Sequence, residues 1–588
     1  MPGSPNPKLA AAVQHLQAGR VEQARSGLSR VLQQSPGDVD AVTWMCFLLM
    51  QTGEGVQALF YAKRADALRP GSFPIQMNLG KASAMTGDLD GAIDAYTRAY
   101  ALDPDHLSGV VGLTVALNAR FRYDESERCS RAWLAKHPGQ PRVMAQLAVA
   151  LLQSGHGRES VRVLKAAVAL ASDDPILASG LAQTMNYAGD SDPADVLEAH
   201  KAYGRIVAKL NPPLPPLAAD LNPDRKLRVG LLSGDFRSHA VGFFAEPIMQ
   251  HLDRGAFELT CYSTIAAEDA TTQRLKGHVQ SWRNVTNTTD PELAMQIRRD
   301  KIDVLVEFSG HTPGQRLAAL CLRAAPVQAT YFGYPNTTGV PGCDYRIVDS
   351  LTDPATPEFD ALATEKLVRL DPCFLCYRPL AGAPGVSPSP VVKEGVVTFG
   401  SFNNLGKLDD LAVRMYSRVL AAVPRSRLIL KYVGLGSAGV RDGIAARFAK
   451  EGVTGDRLIL DPPGAGAAAM LAAYARMDVM LDSYPYHGTT TTCEALYMGV
   501  PVVTLAGRVC AARVGLSILS AVGLGELVAR DEADYVRIAA GLAGDPKRMV
   551  ELRAGLRERM LASTVCDGPG FAVRFGGALR MMWQECCR

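Results

Sequence analysis

The chain has 588 residues, 47% of them hydrophobic, which is enough for about three or four domains with sizeable cores. Its 62 basic and 59 acidic residues nearly balance, so the charge gives no indication of a nucleic-acid partner. The twelve scattered cysteines are typical of a reducing compartment, and the sequence shows neither a signal peptide nor an apolar run of membrane-spanning length. These features predict a soluble cytoplasmic protein without a membrane or nucleic-acid partner.

A repeat occupies the first third of the sequence. Prolines recur every 34 residues, at Pro36, Pro70, Pro104 and Pro138. Glycines keep the same period at Gly19, Gly53, Gly87, Gly155 and Gly189, with Phe121 in the remaining slot, and small residues follow each slot from Gly19 to Gly155 by five positions. A period of 34 with a turn glycine and a closing proline is typical of tetratricopeptide repeats. About five repeats are predicted between residues 8 and 190, with a groove suited to protein or peptide partners.

A different pattern follows the proline-rich stretch LNPPLPPLAADLNPDRK, which ends at Lys226. Strand-length apolar runs alternate with helical stretches: LRVGLLSG, FELTCYSTI, IDVLVEFSG, VQATYFGYP and YRIVDS, and, after a second interruption ending at Pro390, VVTFGSFNN, RLILKYVG, RLILDPP, VMLDSYPY and PVVTLAG. Continuous apolar runs indicate parallel strands buried on both faces. The sequence therefore predicts two Rossmann-like domains with a ligand cleft at the carboxyl ends of their strands.

Two histidines follow strands of the first of these domains. His239 lies in SGDFRSHAVGFF and His311 in EFSGHTPGQRL, and both strand ends are expected to face the cleft. Each histidine is a candidate to contact the transferred group, to orient an acceptor hydroxyl or to act as a base. The turn-rich segment YFGYPNTTGVPGCDY is expected to line the same pocket.

The second of these domains contains the stretch HGTTTTCEALYMG, from His487 to Gly499, between a predicted strand and a predicted helix. Four successive threonines are poor helix formers, but a helix N-terminus with nearby hydroxyls holds phosphate well. Gly488 would let the backbone approach the ligand closely, and Glu494 could accept hydrogen bonds from ribose hydroxyls. Lys407, in the strand-end loop FGSFNNLGKLDD, could neutralise a departing diphosphate.

Other chemistries have weaker support. GLGSAG matches the dinucleotide fingerprint, but it does not open its domain and no convincing acidic residue follows at the required distance. The sequence contains no P-loop motif, and its Asp-x-Asp pairs lie in repeat turns. The Cys373–Cys376 pair has no second pair beside it, so a structural role is predicted. No metal and no cofactor are expected.

The chain resembles glycosyltransferase family 41, the O-GlcNAc transferase family, and within it the SPINDLY branch. The resemblance rests on the repeats, LRVGLLSGDF-x-x-H, GYPNTTGVPGCDYRIVDS, CFLCY, VTFGSFNN-x-x-K, GTTTTCEALYMGVPVVT and CDGPGFAV. It implies a GT-B fold and inverting, metal-independent transfer of a sugar from a nucleoside diphosphate to Ser or Thr hydroxyls of proteins. The implied limits are repeats at 8–190, a linker at 191–226, catalytic domains at 227–390 and 391–565, and a terminal helix at 566–588.

The resemblance also implies roles for individual residues. Lys407, Thr490 and Thr491 would bind the diphosphate, Glu494 the ribose and Asn404 the nucleotide, while His239, Gly333 and Pro335 would lie near sugar and acceptor. The whole candidate set consists of His239, Lys407 and His311 as catalytic residues and of Gly333, Pro335, Asn404, Lys407, His487, Gly488, Thr489, Thr490, Thr491, Thr492 and Glu494 as donor-binding residues.

Two departures from O-GlcNAc transferases leave alternatives open. Those enzymes have a histidine directly before the two phosphate-binding threonines, where this chain has Thr489, so the donor is UDP-GlcNAc or, as in plant SPINDLY proteins, GDP-fucose. Most of the asparagine ladder of the repeat groove is replaced, by Trp44, Gly112 and Gln146, which bears on the choice of protein substrate. The alternative function is a scaffold with a silent transferase domain. A homodimer is a further expectation.

Overall fold

The architecture was obtained as a computed structural model, which describes residues 6–217, 220–462, 464 and 466–588. The chain forms two compact units, one ending at Leu151 and the other running from Leu152 to Arg588. Helical hairpins build the first unit. Its helices are α1 (Pro7–Gln17), α2 (Val21–Gln34), α3 (Val39–Gln51), α4 (Gly55–Leu68), α5 (Phe73–Met85), α6 (Leu89–Leu102), α7 (Leu107–Ala119), α8 (Tyr123–Lys136) and α9 (Pro141–Gln153), the last of which reaches the boundary between the units.

The periodic residues of the repeats occupy the positions that their chemistry requires. Each of the four prolines comes directly after the C-cap residue of α2, α4, α6 or α8, where a helix cannot continue. The small residues Ala24, Ala58, Ala92 and Ser126 are fully buried where paired helices meet. Phe121 takes the place of a turn glycine and adopts the same left-handed backbone, with φ of 63° against 79° at Gly87.

The second unit begins with three more helices, α10 (Gly157–Leu170), α11 (Pro175–Met185) and α12 (Pro193–Leu210). Two parallel sheets follow. The strands of the first are β1 (Leu227–Ser233), β2 (Phe257–Ser263), β3 (Ser281–Asn284), β4 (Val304–Glu307), β5 (Val327–Thr330), β6 (Tyr345–Val348) and β7 (Lys366–Arg369). The strands of the second are β8 (Val397–Ser401), β9 (Ser426–Lys431), β10 (Leu458–Asp461), β11 (Val479–Leu481), β12 (Val502–Leu505) and β13 (Val528–Ala529).

Helices connect the strands and complete the unit. They are α13 (Ala240–His251), α14 (Ala270–Lys276), α15 (Asp290–Arg299), α16 (Leu317–Cys321), α17 (Pro357–Asp360), α18 (Pro390–Glu394), α19 (Asp410–Ala422), α20 (Ala438–Lys450), α21 (Ala467–Ala472), α22 (Thr490–Tyr497), α23 (Val514–Ala521), α24 (Glu532–Ala543), α25 (Pro546–Leu561) and α26 (Gly568–Cys586). No helix in the described part of the chain is long and apolar enough to cross a membrane.

The two sheets share one topology. Their strand orders are β3-β2-β1-β4-β5-β6-β7 and β10-β9-β8-β11-β12-β13, and the paired strands are parallel. The order reverses between β1 and β4 and again between β8 and β11, which places the crevice of each sheet at the carboxyl ends of these strands. Helical repeats followed by two Rossmann-like sheets confirm the predicted fold class.

Three strands were not predicted from the sequence: β3, β7 and β13. All three lie at an edge of their sheet. Their sequences, SWRN, KLVR and VA, are short or mixed in polarity, and no residue of β3 is buried. An edge strand has only one neighbour and needs no continuous apolar run, so the signal that identified the central strands is missing from these three.

Candidate functional site

One cavity of about 380 Å³ lies where the carboxyl ends of both sheets meet. The loops after β1, β5, β8 and β11 supply most of its lining, among them His239, Gly333, Asn404, Lys407 and Thr490. A larger cavity of about 560 Å³ lies at the amino ends of β1 and β2, beside Arg228 and Glu258. Ligands of open parallel sheets bind at carboxyl ends, so the smaller cavity is the candidate site.

The threonine run forms the beginning of α22. Thr489 is the N-cap residue, but among the described residues no side chain caps this helix. The first N–H groups of α22 therefore donate to no capping side-chain oxygen. The hydroxyl oxygen of Thr490 is buried and has no hydrogen-bond partner among the described residues. Thr489, Thr490 and Thr491 all line the cavity. Unpaired donors at a helix N-terminus suit an anion such as a diphosphate.

A buried carboxylate fixes the turn from His487 to Thr491 at the start of α22, which we call the α22 corner. Asp482, directly after β11, is 1% exposed and accepts hydrogen bonds from the Gly488 N–H at 2.7 Å and the Thr504 hydroxyl at 2.8 Å. It also accepts from Asn403 Nδ2, whose Oδ1 in turn accepts from the hydroxyl of Thr491 at 2.5 Å. Such a network fixes the backbone before any ligand arrives.

Lys407 projects into the same cavity from the loop after β8. Its Nζ donates to the main-chain oxygen of His487 at 2.6 Å and lies 4.1 Å from the ring centre of Tyr486. Burial lowers the pKa of Lys407 to about 8, and the charge of Asp482 acts in the opposite direction. The ammonium is therefore still mostly protonated at neutral pH and can meet a negative ligand.

Glu494 belongs to α22 and is not one of the residues that line the cavity, whereas Asn404 belongs to the loop after β8. Glu494 lies one turn into α22, where burial raises its pKa to about 7 and where the hydroxyl of Tyr474 donates to it at 3.1 Å. Asn404 lines the cavity, and its side-chain oxygen accepts from the Gly406 N–H, which fixes the turn before Lys407.

The opposite wall carries His239, Gly333 and Pro335. His239 is the N-cap of α13 and its Nδ1 accepts from the Val241 N–H, so in the neutral ring the proton is on Nε2. Burial lowers the pKa of His239, although Asp235 lies 3.6 Å away. At Gly333 an added Cβ would lie 1.4 Å from the carbonyl oxygen of Phe308, so only glycine fits this close approach.

The expectation that His311 faces the cleft is wrong. Its ring is 3% exposed and lies between α11 and the loop after β5. Nε2 bonds to the main-chain oxygen of Thr338 and Nδ1 to the hydroxyl of Ser179, both at 2.9 Å. Burial lowers its pKa to about 4, so the ring is neutral and both nitrogens are occupied within the protein.

His487 and Thr492 likewise do not present their side chains to the cavity. The ring of His487 is fully buried, with Nε2 bonded to the Leu505 oxygen and Nδ1 accepting from the Gly515 N–H. Thr492 is fully buried and donates to the Gly488 oxygen. The Gly488 N–H is already bound to Asp482. These residues stabilise the α22 corner, and the main-chain oxygen of His487 accepts a hydrogen bond from Lys407.

Several cavity residues had not been predicted: Tyr187, Thr312, Phe402, Asn403, Tyr432 and Tyr486. Asn403 and Tyr486 stand beside predicted residues in the same loops, so strand-end position would have identified them. Tyr187 lies in the irregular last repeat, where the sequence pattern gives no sign of a site. Its ring stacks on Tyr486 at 4.6 Å.

The cysteine pair at Cys373 and Cys376 is buried, and Cys373 accepts a hydrogen bond from Ser517. Among the described residues there is no group of three or more His, Cys, Asp or Glu side chains that could hold a metal ion.

Repeats followed by two parallel α/β domains that share one cavity define the class of this protein: a tetratricopeptide-repeat protein with a GT-B fold. The chain belongs to glycosyltransferase family 41, because the model of Glycosyl transferase family 41 matches residues 209–376 and 390–574. Tetratricopeptide-repeat models match residues 15–82 and 74–106. The predicted family is thereby confirmed.

Known relatives extend this result. The chain is 41% identical over 408 residues to a protein of Arabidopsis thaliana named "Probable UDP-N-acetylglucosamine--peptide N-acetylglucosaminyltransferase SPINDLY", covering 69% of this chain and 44% of that protein. It is 28% identical over 380 residues to the Arabidopsis protein of the same activity name called SEC, covering 62% of this chain and 38% of SEC. The chain thus spans less than half the length of these relatives.

A solved structure matches along most of the chain. It is a point mutant of an O-GlcNAc transferase from Thermobaculum terrenum, with a TM-score of 0.82 and 34% sequence identity. The match covers 88% of this chain and 98% of that one.

Proposed function

We propose that this protein is a glycosyltransferase that moves a sugar from a nucleoside diphosphate to Ser or Thr hydroxyls of proteins. One observation carries the proposal: the N-terminus of α22, the hydroxyl of Thr490 and the ammonium of Lys407 line one cavity, and neither the helix terminus nor that hydroxyl has a side-chain partner among the described residues. Donors of this kind suit a diphosphate without a metal ion. The family and the activity names of its relatives support a sugar and a protein acceptor as the other two components of the reaction.

The reaction proposed for this cavity is a direct displacement with inversion. The acceptor oxygen forms a bond to the anomeric carbon while the bond from that carbon to the diphosphate oxygen breaks, and the electron pair leaves with the diphosphate. Lys407 and the α22 terminus meet the growing negative charge. Glu494 accepts from the ribose hydroxyls, and Asn404 contacts the nucleotide.

His239 is proposed to orient the reacting groups. Because its Nδ1 already accepts the Val241 N–H, the neutral ring offers its Nε2–H to an oxygen of the sugar or the acceptor. In this arrangement the ring is a hydrogen-bond donor, and the proton of the acceptor hydroxyl passes to a water molecule or to an oxygen of the leaving diphosphate.

Two donors remain as alternatives, UDP-GlcNAc and GDP-fucose. A thermal-shift panel with UDP, GDP, UDP-GlcNAc and GDP-fucose tests the proposal, since a ligand that binds only the folded state raises the unfolding midpoint. We expect one nucleoside diphosphate and its sugar to stabilise the protein, followed by transfer of that sugar to a protein substrate. Stabilisation without release of nucleoside diphosphate would indicate the silent scaffold instead, and no stabilisation by any of the four would contradict the proposal.

Acceptor proteins are proposed to bind along the repeats, as expected of a solenoid with a continuous groove. The cytoplasmic location, the homodimer and the domain limits given above also stay predictions.

A further inference from the structure

We infer that Tyr486, with Tyr187 stacked on it, is the positioning residue that keeps the ammonium of Lys407 charged and directed into the cavity. The inference rests on the proposed function only for the identity of the anion that Lys407 meets. It concerns two residues to which neither the sequence motifs nor the family comparison gives a role.

The geometry places the Tyr486 ring against the charged end of Lys407. Nζ of Lys407 lies 4.1 Å from the ring centre and 2.6 Å from the main-chain oxygen of His487. An ammonium has three N–H groups, and the carbonyl oxygen takes one of them. The ring face stabilises the same charge through its quadrupole. Since Lys407 lines the cavity, the remaining donors can meet a ligand there.

The surroundings of Lys407 make this ring contact important. Burial lowers the pKa of Lys407 to about 8, and Asp482 is the charged group that opposes this effect. The neighbouring His487 is buried with a lowered pKa, and both ring nitrogens are engaged within the protein, so it is neutral and supplies no compensating charge. Burial raises the pKa of Tyr486 and that of Tyr187, so both phenols stay neutral as well. The π face therefore adds to the stabilisation of the charge by Asp482 and by the main-chain oxygen of His487.

Tyr187 holds the Tyr486 ring in this orientation. The two ring centres are 4.6 Å apart at an interplanar angle of 20°, so the rings are stacked. Tyr187 belongs to the turn that follows α11. A residue that precedes both sheets therefore supports Tyr486, which in turn contacts Lys407. An offset stack of this kind contributes beyond its buried area.

The first experiment measures the ionisation of Lys407 without any ligand. The rate of amine labelling at Lys407 is followed against pH by peptide mass spectrometry in the wild type, Tyr486→Phe and Tyr486→Leu. The wild-type midpoint is expected near pH 8 and Tyr486→Phe close to it, because phenylalanine keeps the ring. Loss of a desolvated cation–π contact in Tyr486→Leu should lower the midpoint by about one pH unit.

Two further variants complete the series. Tyr486→Met is a second ring-free variant, expected to follow Tyr486→Leu, and both are checked for a native circular-dichroism spectrum. Tyr187→Leu should lower the Lys407 labelling midpoint by less than Tyr486→Leu does. Tyr61→Leu, in α4, serves as the control and should leave the midpoint unchanged. A folded Tyr486→Leu or Tyr486→Met protein whose Lys407 midpoint equals that of the wild type overturns the inference.

The second experiment separates this inference from the proposed function. Binding of inorganic pyrophosphate and of the nucleoside diphosphates is measured by calorimetry between about pH 6.5 and about 9.5, a range chosen to bracket the Lys407 midpoint. Affinity should fall above about pH 8 in the wild type and at a lower pH in Tyr486→Leu. If the wild type binds no diphosphate at any pH, the proposed function fails, while the labelling midpoints still decide the role of Tyr486.

Discussion

Single residues at the α22 corner differ in what they offer a ligand although their sequence neighbours look alike. Thr490 has a buried hydroxyl without a partner among the described residues, whereas the Thr492 hydroxyl donates to Gly488. A leaving diphosphate has to be met by groups already in place, because a preorganised donor costs no rearrangement during the reaction. At this scale, Lys407 is the residue on which the proposed chemistry depends most.

We expect Lys407→Ala to lower the rate of sugar transfer about 100- to 1000-fold, because one preorganised charge-stabilising donor contributes roughly 2.7–4 kcal/mol to the barrier. Turnover with the donor identified by thermal shift measures this effect. Lys366→Ala is the matched control, since Lys366 is exposed and pairs with Glu585 away from the cavity. Near-normal transfer by Lys407→Ala would refute the role assigned to this residue.

Glu494 is expected to lower the free energy of unfolding at alkaline pH, where its carboxylate is ionised. Its pKa is raised to about 7 by burial, so the folded state favours the protonated form. The protonated Glu494 therefore contributes its full stability below the pKa of the unfolded state, near 4.5. This stability is lost as the pH rises through the folded-state pKa of about 7. Glu494→Gln should raise the free energy of unfolding by roughly 2–4 kcal/mol at about pH 8 and by little at about pH 4.

Denaturant titrations of the wild type and Glu494→Gln at both pH values measure this difference. The same variant should bind nucleoside diphosphates more weakly, because an amide accepts from ribose hydroxyls less strongly than a carboxylate. Equal stability gains at the acidic and the alkaline pH would show that the effect does not come from the charge of Glu494.

At the scale of elements, the loop after β5 has two functions that its sequence does not separate. Gly333 and Pro335 face the cavity, whereas Tyr334, between them, points the other way into a buried network. The Tyr334 oxygen is 2.7 Å from Nε2 of His200 and accepts from Asn186 at 2.7 Å. The threonines of the loop are held by the buried carboxylate of Glu365. The loop is thus fixed against α11 and α12.

Tyr334→Phe should lower the free energy of unfolding by about 1–3 kcal/mol, since it leaves Nε2 of His200 buried without its hydroxyl partner. The other ring nitrogen of His200 already bonds to the Val196 oxygen, so the ring cannot compensate by changing tautomer. Chemical denaturation measures the change. Tyr61→Phe, in α4, is the control and should stay within about 0.5 kcal/mol of the wild type. An unchanged free energy of unfolding in Tyr334→Phe would show that this hydrogen-bond network does not stabilise the fold.

At the scale of the whole molecule, the proposed function places donor chemistry and acceptor binding in different parts of the chain. Every residue that lines the candidate cavity lies at Tyr187 or beyond. The repeats before Leu151 form their own compact unit, in which each hairpin packs on its neighbours. Loss of the first hairpins should therefore leave the cavity intact.

Deletion of residues 1–105 is expected to preserve stabilisation by the nucleoside diphosphate and to reduce transfer to protein substrates strongly. Thermal shift and transfer to a protein substrate measure the two properties on the same sample. Transfer to proteins at the full rate would contradict the proposed role of the repeats, and loss of diphosphate binding would contradict the separation of the two parts.

The sequence by itself determined the architecture, because the 34-residue period and the continuous apolar runs follow directly from the geometry of helices and buried strands. It also predicted that the threonine run and Lys407 lie at one cavity, because both stand at strand ends, and the ends of parallel strands meet at one edge. The edge strands β3, β7 and β13 could not be predicted, because their sequences are short or mixed in polarity; β10, which is also an edge strand, has an apolar run and was predicted.

Only the tertiary structure decided which way the side chains point. His239, His311 and His487 follow strands in the same manner, but of these three only His239 presents its ring to the cavity, while the other two have both nitrogens occupied inside the protein. Tyr187 joins the site from the degraded last repeat. Orientation and burial depend on the packing of segments far apart in the chain, and no local pattern of residues records that packing.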